Sequence, residues 1–295
     1  MTTIKAFVKQ HPVLTYYTIV FAISWGGGLS LAGPGGIPGA KEEVERLFLF
    51  MLLIMFAGPS VSSILSTILC DGRTGLHDLF SGLRHWRVSA RWYAVALLFP
   101  PFVVAAVLFT LSLLSPAFLP GILNTNDKLT LLLFGIAWGL IGGGFLEELG
   151  WTGFAVPKLR LRYGVFATAL IVGILWGVWH FLIAFWSSSS MAGETSLTIF
   201  VAGFLAFYLG ALPAYRVLMV WVYDRTGSLP VAMLMHASLS ASTLILQPLA
   251  TGAPYLIWNL GLAVVLWIVV AAVAVANHGQ ISQPPLYPKM TVASH

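Results

Sequence analysis

Residues 141–158 read IGGGFLEELGWTGFAVPK and place two adjacent carboxylates, Glu147 and Glu148, at the end of a long apolar run. The run has the length and hydropathy of a membrane span, and a charged side chain at the centre of a bilayer costs about 2.5–3.5 kcal/mol even on insertion scales. The whole chain contains ten acidic residues. Two of them together at this depth indicate an ion path, a proton relay or a catalytic centre, unless the pair only marks a helix end at the headgroups.

Composition places the chain among the polytopic membrane proteins. Of its 295 residues, 58% are hydrophobic and 8% are charged, with a mean hydropathy of +0.90, whereas soluble domains carry about 25% charged residues. The net charge of +5 does not indicate a nucleic-acid partner, because the basic residues lie in segments that flank apolar runs. Cys70 is the only cysteine, which excludes a disulfide framework or a thiolate metal cluster within the chain.

Eight apolar stretches predict an all-α membrane protein, with one transmembrane bundle over 1–276 that encloses a polar intramembrane cavity. The predicted catalytic core is 129–247, and 277–295 is predicted to be a flexible tail. The basic and tryptophan-containing segment 71–91 is predicted to lie at the membrane interface. The predicted spans cover about 13–32, 47–70, 92–114, 129–148, 166–186, 197–223, 229–246 and 255–276.

The distribution of lysine and arginine predicts the orientation, since short cytoplasmic loops are enriched in both. With the N-terminus inside, twelve of the fifteen basic residues fall on the cytoplasmic side and three, Lys41, Arg46 and Lys128, on the other. Both termini are therefore expected in the cytoplasm, at the plasma membrane if the source is prokaryotic, with the cavity open to the cytoplasmic leaflet. Arg216 lies well inside the sixth span and is a candidate partner for an acidic group in the bundle.

The polar residues at membrane depth converge from three predicted spans. Glu147 and Glu148 lie on the fourth, His180 on the fifth, and His236 on the seventh with Ser240 one turn later. Imidazole and carboxylate groups are the ligands of a catalytic zinc with three protein ligands and one open position. Such a metal lowers the pKa of its water to about 7 and polarises a carbonyl, which leaves one carboxylate as general base.

Other membrane functions fit the sequence less well. It contains neither the HExxH of site-two zinc proteases nor a GxGD like that of presenilins, and Ser240 shares a helix with His236, unlike a rhomboid dyad. A proton-coupled transporter would use the same glutamates and histidines, but such folds usually show two similar halves. Here the polar groups all lie in the second half.

Three short motifs resemble those of one known family. EELGWTGFAVPKL resembles EExxxR, WGVWH resembles FxxxH and MHASLS resembles HxxxN, in the same order and at corresponding membrane positions. The family is the CPBP intramembrane proteases, which include the CAAX prenyl endopeptidases and the bacteriocin-processing and immunity relatives. The resemblance covers roughly 140–242.

The resemblance implies an endopeptidase that cleaves a membrane-associated peptide or protein. It implies that Glu147 activates the attacking water, that Glu148 supports it, and that His180 and His236 bind a metal or polarise the scissile carbonyl. Glu148 is a further expected metal ligand, and Ser240 is expected to be catalytic. The expected cofactor is zinc, although a metal-free glutamate mechanism has also been argued for this family.

The sequence departs from the family pattern at three positions. Thr152 stands where the family has arginine, Trp176 where it has phenylalanine, and Ser240 where it has asparagine. Thr152 and Trp176 are expected to contact substrate. A hydroxyl at position 240 replaces an amide that offers more hydrogen bonds. These departures leave open a catalytically silent relative that acts as a membrane chaperone or immunity protein.

Overall fold

A computed structural model describes residues 3–33, 41–188, 196–248 and 250–277. The predicted tail therefore lies outside the described residues, apart from Asn277. Within them the chain folds into nine helices, and the remaining regular elements are three single 3₁₀ turns. The helices are α1 (Thr3–Gln10), α2 (Pro12–Ala32), α3 (Lys41–Ser81), α4 (Ala90–Ser112), α5 (Lys128–Arg160), α6 (Val165–Trp186), α7 (Leu197–Thr226), α8 (Leu229–Leu246) and α9 (Gly252–Ala276).

The prediction of an all-α membrane bundle is confirmed. In the described part of the chain, eight helices, α2 to α9, are long and apolar enough to cross a membrane. The protein is thus a multi-pass integral membrane protein. Helix α8 is central, since more than half of its residues are buried and it packs against α4, α5 and α7.

Two helices run further than the sequence predicts. Helix α3 does not end at Cys70 but turns sharply at Gly72, which has a positive φ of 68°, and continues to Ser81. Helix α5 does not end at the glutamate pair, because wide π-helical turns at Gly139–Glu147 and Trp151–Ala155 carry the backbone on towards Arg160. The glutamates therefore lie inside a spanning helix and not at its end. Wide turns of this kind often occur at functional sites.

The junction between α7 and α8 shows how local sequence fixes the helix ends. Gly227 adopts the left-handed conformation with φ 64°, which ends α7. The next residue, Ser228, caps α8 by accepting a hydrogen bond from the Val231 amide at 3.3 Å, and Pro230 occupies the first turn. The break takes two residues, so α8 returns directly alongside α7.

Glycines allow the helices that carry the polar residues to approach closely. A Cβ on Gly177 of α6 would lie 1.9 Å from the backbone oxygen of Tyr208 in α7, and one on Gly139 of α5 would lie 2.3 Å from that of Ala237 in α8. Both glycines belong to GxxxG pairs, with Gly173 and Gly143, and such pairs let helix backbones meet in membranes. Close packing of α6 on α7 and of α5 on α8 brings the polar side chains together.

The two ends of the bundle are identified by contacts between distant segments. The end that holds the termini, called the terminal face, includes a 2.7 Å ion pair between Lys158 and Asp71 and a 3.1 Å hydrogen bond from Arg225 to Asn277. At the other end, called the opposite face, the Gly121 amide donates to the Gln247 carbonyl at 3.1 Å.

Replacing Gly177 with alanine tests the helix contact that carries His180. The new methyl group would collide with the Tyr208 carbonyl, and overpacking of this kind costs about 1–3 kcal/mol. We expect Gly177→Ala to lower the midpoint of thermal unfolding in detergent. Gly26→Ala is the matched control, because a Cβ there meets no described atom within 4 Å. Equal midpoints for the two variants would contradict the proposed packing.

Candidate active site

A cavity of about 420 Å³ lies among α3, α5, α6, α7, α8 and α9. Its wall brings together five of the residues singled out in the sequence, Glu147, Trp176, His180, His236 and Ser240. It extends from Glu147 towards the opposite face and reaches Gln247 there. The termini and the cavity opening are both expected on the cytoplasmic side, whereas the cavity extends away from the terminal face.

Glu148 lies outside the cavity wall and is fully buried. Arg216 donates two hydrogen bonds to the carboxylate, from Nη2 to Oε1 and from Nη1 to Oε2, both at 2.8 Å. His236 Nδ1 approaches Oε1 at 2.6 Å, and the Thr152 hydroxyl donates to Oε2. The carboxylate is thus held in one orientation by three side chains from three helices.

Arg216 supplies a cation that the motif itself lacks. It projects from α7, is fully buried, and its guanidinium lies 4.3 Å from the centre of the Trp176 ring. Its Nη1 is 3.5 Å from the Thr152 hydroxyl, so the positive charge lies beside the position where the family motif has arginine. The expected pairing of Arg216 with an acidic group is therefore confirmed. Because Arg216 is distant from the motif in sequence, the sequence alone does not indicate which carboxylate it binds.

Glu147 has a different environment from its neighbour. The indole of Trp176 donates to its Oε2 at 2.7 Å and the indole of Trp151 donates to the same atom at 3.1 Å. Both hydrogen bonds end on Oε2, and none of the described residues donates to Oε1. Tryptophan in place of the family phenylalanine thus orients Glu147, which an aromatic wall alone would not do. One oxygen of Glu147 remains for a ligand of the cavity.

The two histidines are oriented in the same way, because each ring uses Nδ1 for a hydrogen bond to a protein oxygen. His180 Nδ1 is 2.8 Å from the carbonyl of Trp176, which can only accept, so Nδ1 carries the proton. His236 Nδ1 likewise faces the Glu148 carboxylate. In the neutral rings Nε2 is then the acceptor. Both rings also contact the Trp176 ring edge to face, with centroid distances of 5.8 and 4.8 Å.

These contacts do not form a three-ligand metal site from the predicted residues. Among the described residues, no group of three His, Cys, Asp or Glu side chains is arranged to hold a metal ion. Glu148, the expected third ligand, instead bonds to His236, Arg216 and Thr152. A carboxylate on the Nδ1 of a histidine orients the ring, as in many enzymes with or without a metal. Zinc stays a prediction from the sequence.

Ser240 and Thr152, the two other departures from the family motifs, lie in different places. Ser240 lines the cavity beside His236, and both pack against Gly143, where an added Cβ would lie 2.6 Å from Ser240 Oγ and 2.8 Å from His236 Nε2. Thr152 is buried behind Glu148 and does not line the cavity, which corrects its expected contact with substrate. Trp176 does line the cavity.

Sequence reasoning missed Trp151 and Gly143. Trp151 follows the glutamate pair by one helical turn, and the i, i+4 spacing to Glu147 was a usable signal for a contact. Gly143 lies one turn before Glu147, and its role depends on α8 packing against it, which no local pattern reveals.

Comparison with known proteins identifies the segment that carries the site. Residues 128–242 match the sequence model of the type II CAAX prenyl endopeptidase Rce1-like family. CAAX prenyl protease 2 of Methanococcus maripaludis is 31% identical over 90 residues, which make up 30% of this chain and 32% of that protein. The match spans about a third of the relative's length. Both glutamates and both histidines lie within 128–242, so the segment that is similar to the CAAX prenyl endopeptidases carries the candidate site.

Proposed function

We propose that this protein is an intramembrane endopeptidase in which Glu147 activates a water molecule for attack on a peptide bond. The observation that carries the proposal is the contrast between the paired carboxylates. Both oxygens of Glu148 are hydrogen-bonded, by Arg216, His236 and Thr152. Glu147 lines the cavity, and none of the described residues donates to its Oε1. Two adjacent carboxylates with different environments are suited to different roles.

Glu147 acts as the general base. Its Oε2 is fixed by two indole N–H groups, which directs Oε1 to a water in the cavity. A general base must lie within hydrogen-bond reach of the proton that it removes, and positioned proton transfer contributes about 10²–10⁴ in rate. The water oxygen forms a bond to the scissile carbonyl carbon while its proton passes to Glu147. The carbon–nitrogen bond then breaks as the leaving amine takes a proton from protonated His236. Loss of the Glu147 proton to water and reprotonation of His236 restore the starting state.

His236 is the better placed histidine to hand a proton to the leaving amine. The Glu148 carboxylate at its Nδ1 stabilises the imidazolium, in which Nε2 becomes a donor towards the cavity. His180 has the Trp176 carbonyl at the same position instead, together with the rings of Trp179 and Tyr208. We assign His180 the neutral form, in which Nε2 accepts a hydrogen bond from the water or from a substrate amide.

Ser240 is placed to stabilise the carbonyl oxygen as negative charge develops on it. Its hydroxyl lies on the cavity wall beside His236, and a donor in such a position is worth about 2.7–4 kcal/mol in known oxyanion sites. A hydroxyl offers one donor and can take over part of the role that an amide has in the family motif.

Substitution of Glu147 tests the assignment of the base. We expect Glu147→Gln to lower the cleavage rate of a lipid-anchored fluorogenic peptide by about 10²-fold or more, because the amide cannot take the proton. The amide oxygen still accepts from both indoles, so the midpoint of thermal unfolding should change little.

Asp78→Asn is the control for this substitution, since it makes the same chemical change at an exposed acidic residue and should leave cleavage unchanged. Normal cleavage by Glu147→Gln would refute the assignment. Failure of the wild type to cleave any such peptide would favour a catalytically silent relative.

Metal analysis on the same samples separates the two mechanisms that the sequence allows. Because Glu148 is engaged by protein groups, we expect no stoichiometric zinc in the purified protein and full cleavage after treatment with a chelator. Stoichiometric zinc that His180→Ala loses, together with inhibition by the chelator and recovery on adding zinc, would contradict this expectation.

A further inference from the structure

Helix α9 carries one amide side chain in an otherwise apolar span. Between Gly252 and Ala276 the sequence contains no charged residue, and Asn259 is its only asparagine or glutamine. The side chain lies inside the bundle, since Asn259 is only 1% exposed. A carboxamide without hydrogen bonds is costly in an apolar environment. The burial of Asn259 within a membrane bundle therefore calls for a partner.

The nitrogen of this amide lacks a protein partner in the described part of the chain. None of those residues accepts a hydrogen bond from Asn259 Nδ2. Tyr255, one helical turn earlier, lies beside the amide without completing a hydrogen bond to that nitrogen. The large majority of buried polar side-chain atoms in proteins are hydrogen-bonded. An unpaired amide in the wall of a cavity thus indicates a group that a ligand satisfies.

Asn259 lines the candidate active site on the side of His180. Both residues belong to the cavity wall, as does Tyr208. A Cβ added to Gly203 of α7 would lie 3.6 Å from Asn259 Nδ2. Five residues later on the same helix, Tyr208 packs on the His180 ring with a centroid distance of 5.1 Å. A peptide that extends from Glu147 past His180 therefore runs towards the amide.

Trp179 is the other cavity-lining residue of the described chain with an unpaired buried donor. Its indole packs in T-shaped contacts with the rings of Trp151 and His180. An N–H group among aromatic rings can donate weakly to a ring face, and an indole offers a donor only. The carboxamide of Asn259 offers two N–H donors and an acceptor oxygen. It is the better match for a peptide group, which also has a donor and an acceptor.

A bound peptide brings main-chain groups into the cavity on both sides of the cleaved bond. These groups leave water when they enter, and a buried carbonyl or N–H group without a partner is unfavourable. The carboxamide of Asn259 can donate to the carbonyl oxygen of a peptide group and accept from its N–H. Such a contact recognises the main chain and does not depend on the substrate side chains.

We propose that Asn259 binds a main-chain peptide group of the substrate beside the scissile bond, with a hydrogen bond from Nδ2 to the carbonyl oxygen of that group. Asn259 lies outside 128–242, the segment that is similar to the CAAX prenyl endopeptidases, and none of the three motifs includes it. The proposal rests on the endopeptidase function above and adds a substrate-binding residue to it.

Asn259→Leu tests this contact, because leucine keeps the approximate size of the side chain and removes its hydrogen-bonding groups. We expect the KM for a lipid-anchored fluorogenic peptide to rise about three- to tenfold, the range for one hydrogen bond between uncharged groups, with little change in kcat. The midpoint of thermal unfolding in detergent should not fall, because the lost nitrogen has no described protein partner.

Asn126→Leu is the matched control, since it makes the same change at an exposed residue that does not line the cavity. Its KM should equal that of the wild type. An unchanged KM in Asn259→Leu would overturn the proposal, and a lower unfolding midpoint beside it would show that Asn259 only supports the fold.

A series of ester analogues locates the contact on the substrate. Each peptide carries one main-chain ester in place of an amide that flanks the scissile bond, which removes an N–H group and weakens the carbonyl as an acceptor. We expect one analogue to lose about threefold or more in kcat/KM with the wild type and to lose nothing with Asn259→Leu. Equal losses with both proteins at every position would overturn the proposal, because a purely structural role of Asn259 affects all peptides alike.

Binding without cleavage separates this proposal from the endopeptidase function. The affinity for a fluorescein-labelled form of the same peptide is measured by fluorescence anisotropy with Glu147→Gln and with Glu147→Gln combined with Asn259→Leu. Weaker binding by the combined variant supports the contact even where the wild type cleaves nothing, and then the endopeptidase function alone fails. Equal affinities, with normal cleavage by the wild type, would overturn the contact and leave the endopeptidase function intact.

Discussion

The ion pair between Arg216 and Glu148 is the contact on which the rest of the site depends. Both side chains are fully buried in a bundle that crosses a membrane, where either charge alone would be very unfavourable. Their bidentate contact makes both tolerable and ties α7 to α5. Because Glu148 also accepts from His236, the same pair fixes the ring orientation of a histidine on α8. Three helices are thereby held in register around one carboxylate.

Glu147, which we propose as the base, is held by uncharged groups. Two indole N–H groups donate to one oxygen of Glu147 and so orient its side chain at the cavity wall. The wide turns of α5 before and after the pair allow two consecutive glutamates to serve two sites, one facing Arg216 and one facing the cavity. Glycines bring α5 into close backbone contact with α8, and α6 with α7, so both helix pairs are tightly packed.

Much of this arrangement could be predicted from the sequence, because hydropathy and charge report directly on membrane spans. The eight spans and the convergence of Glu147, His180 and His236 came from apolar runs interrupted by rare ionisable residues. The extension of α5 past the glutamates was missed, since charged residues usually mark the end of a span and the partner that buries Glu148 lies 68 positions away. The same long-range contact explains why the burial of Thr152 could not be predicted. Its hydroxyl donates to the Glu148 carboxylate, and the position of that carboxylate depends on α7. The end of the bundle at which the cavity opens depends on how the helices pack against one another, and amino-acid composition does not indicate this packing.

A double-mutant cycle on Arg216 and Glu148 tests the central claim most directly. The free energy of unfolding in detergent would be measured for Arg216→Met, Glu148→Gln and the double variant. Each single change strands one buried charge, so we predict that the double variant is more stable than the sum of the single losses implies, by about 2–3 kcal/mol. The exposed pair of Lys158 and Asp71, changed to Met and Asn, provides the comparison, with a coupling below about 1 kcal/mol. Additive losses at Arg216 and Glu148 would contradict the account, because they would mean that the two charges do not stabilise each other in the bundle.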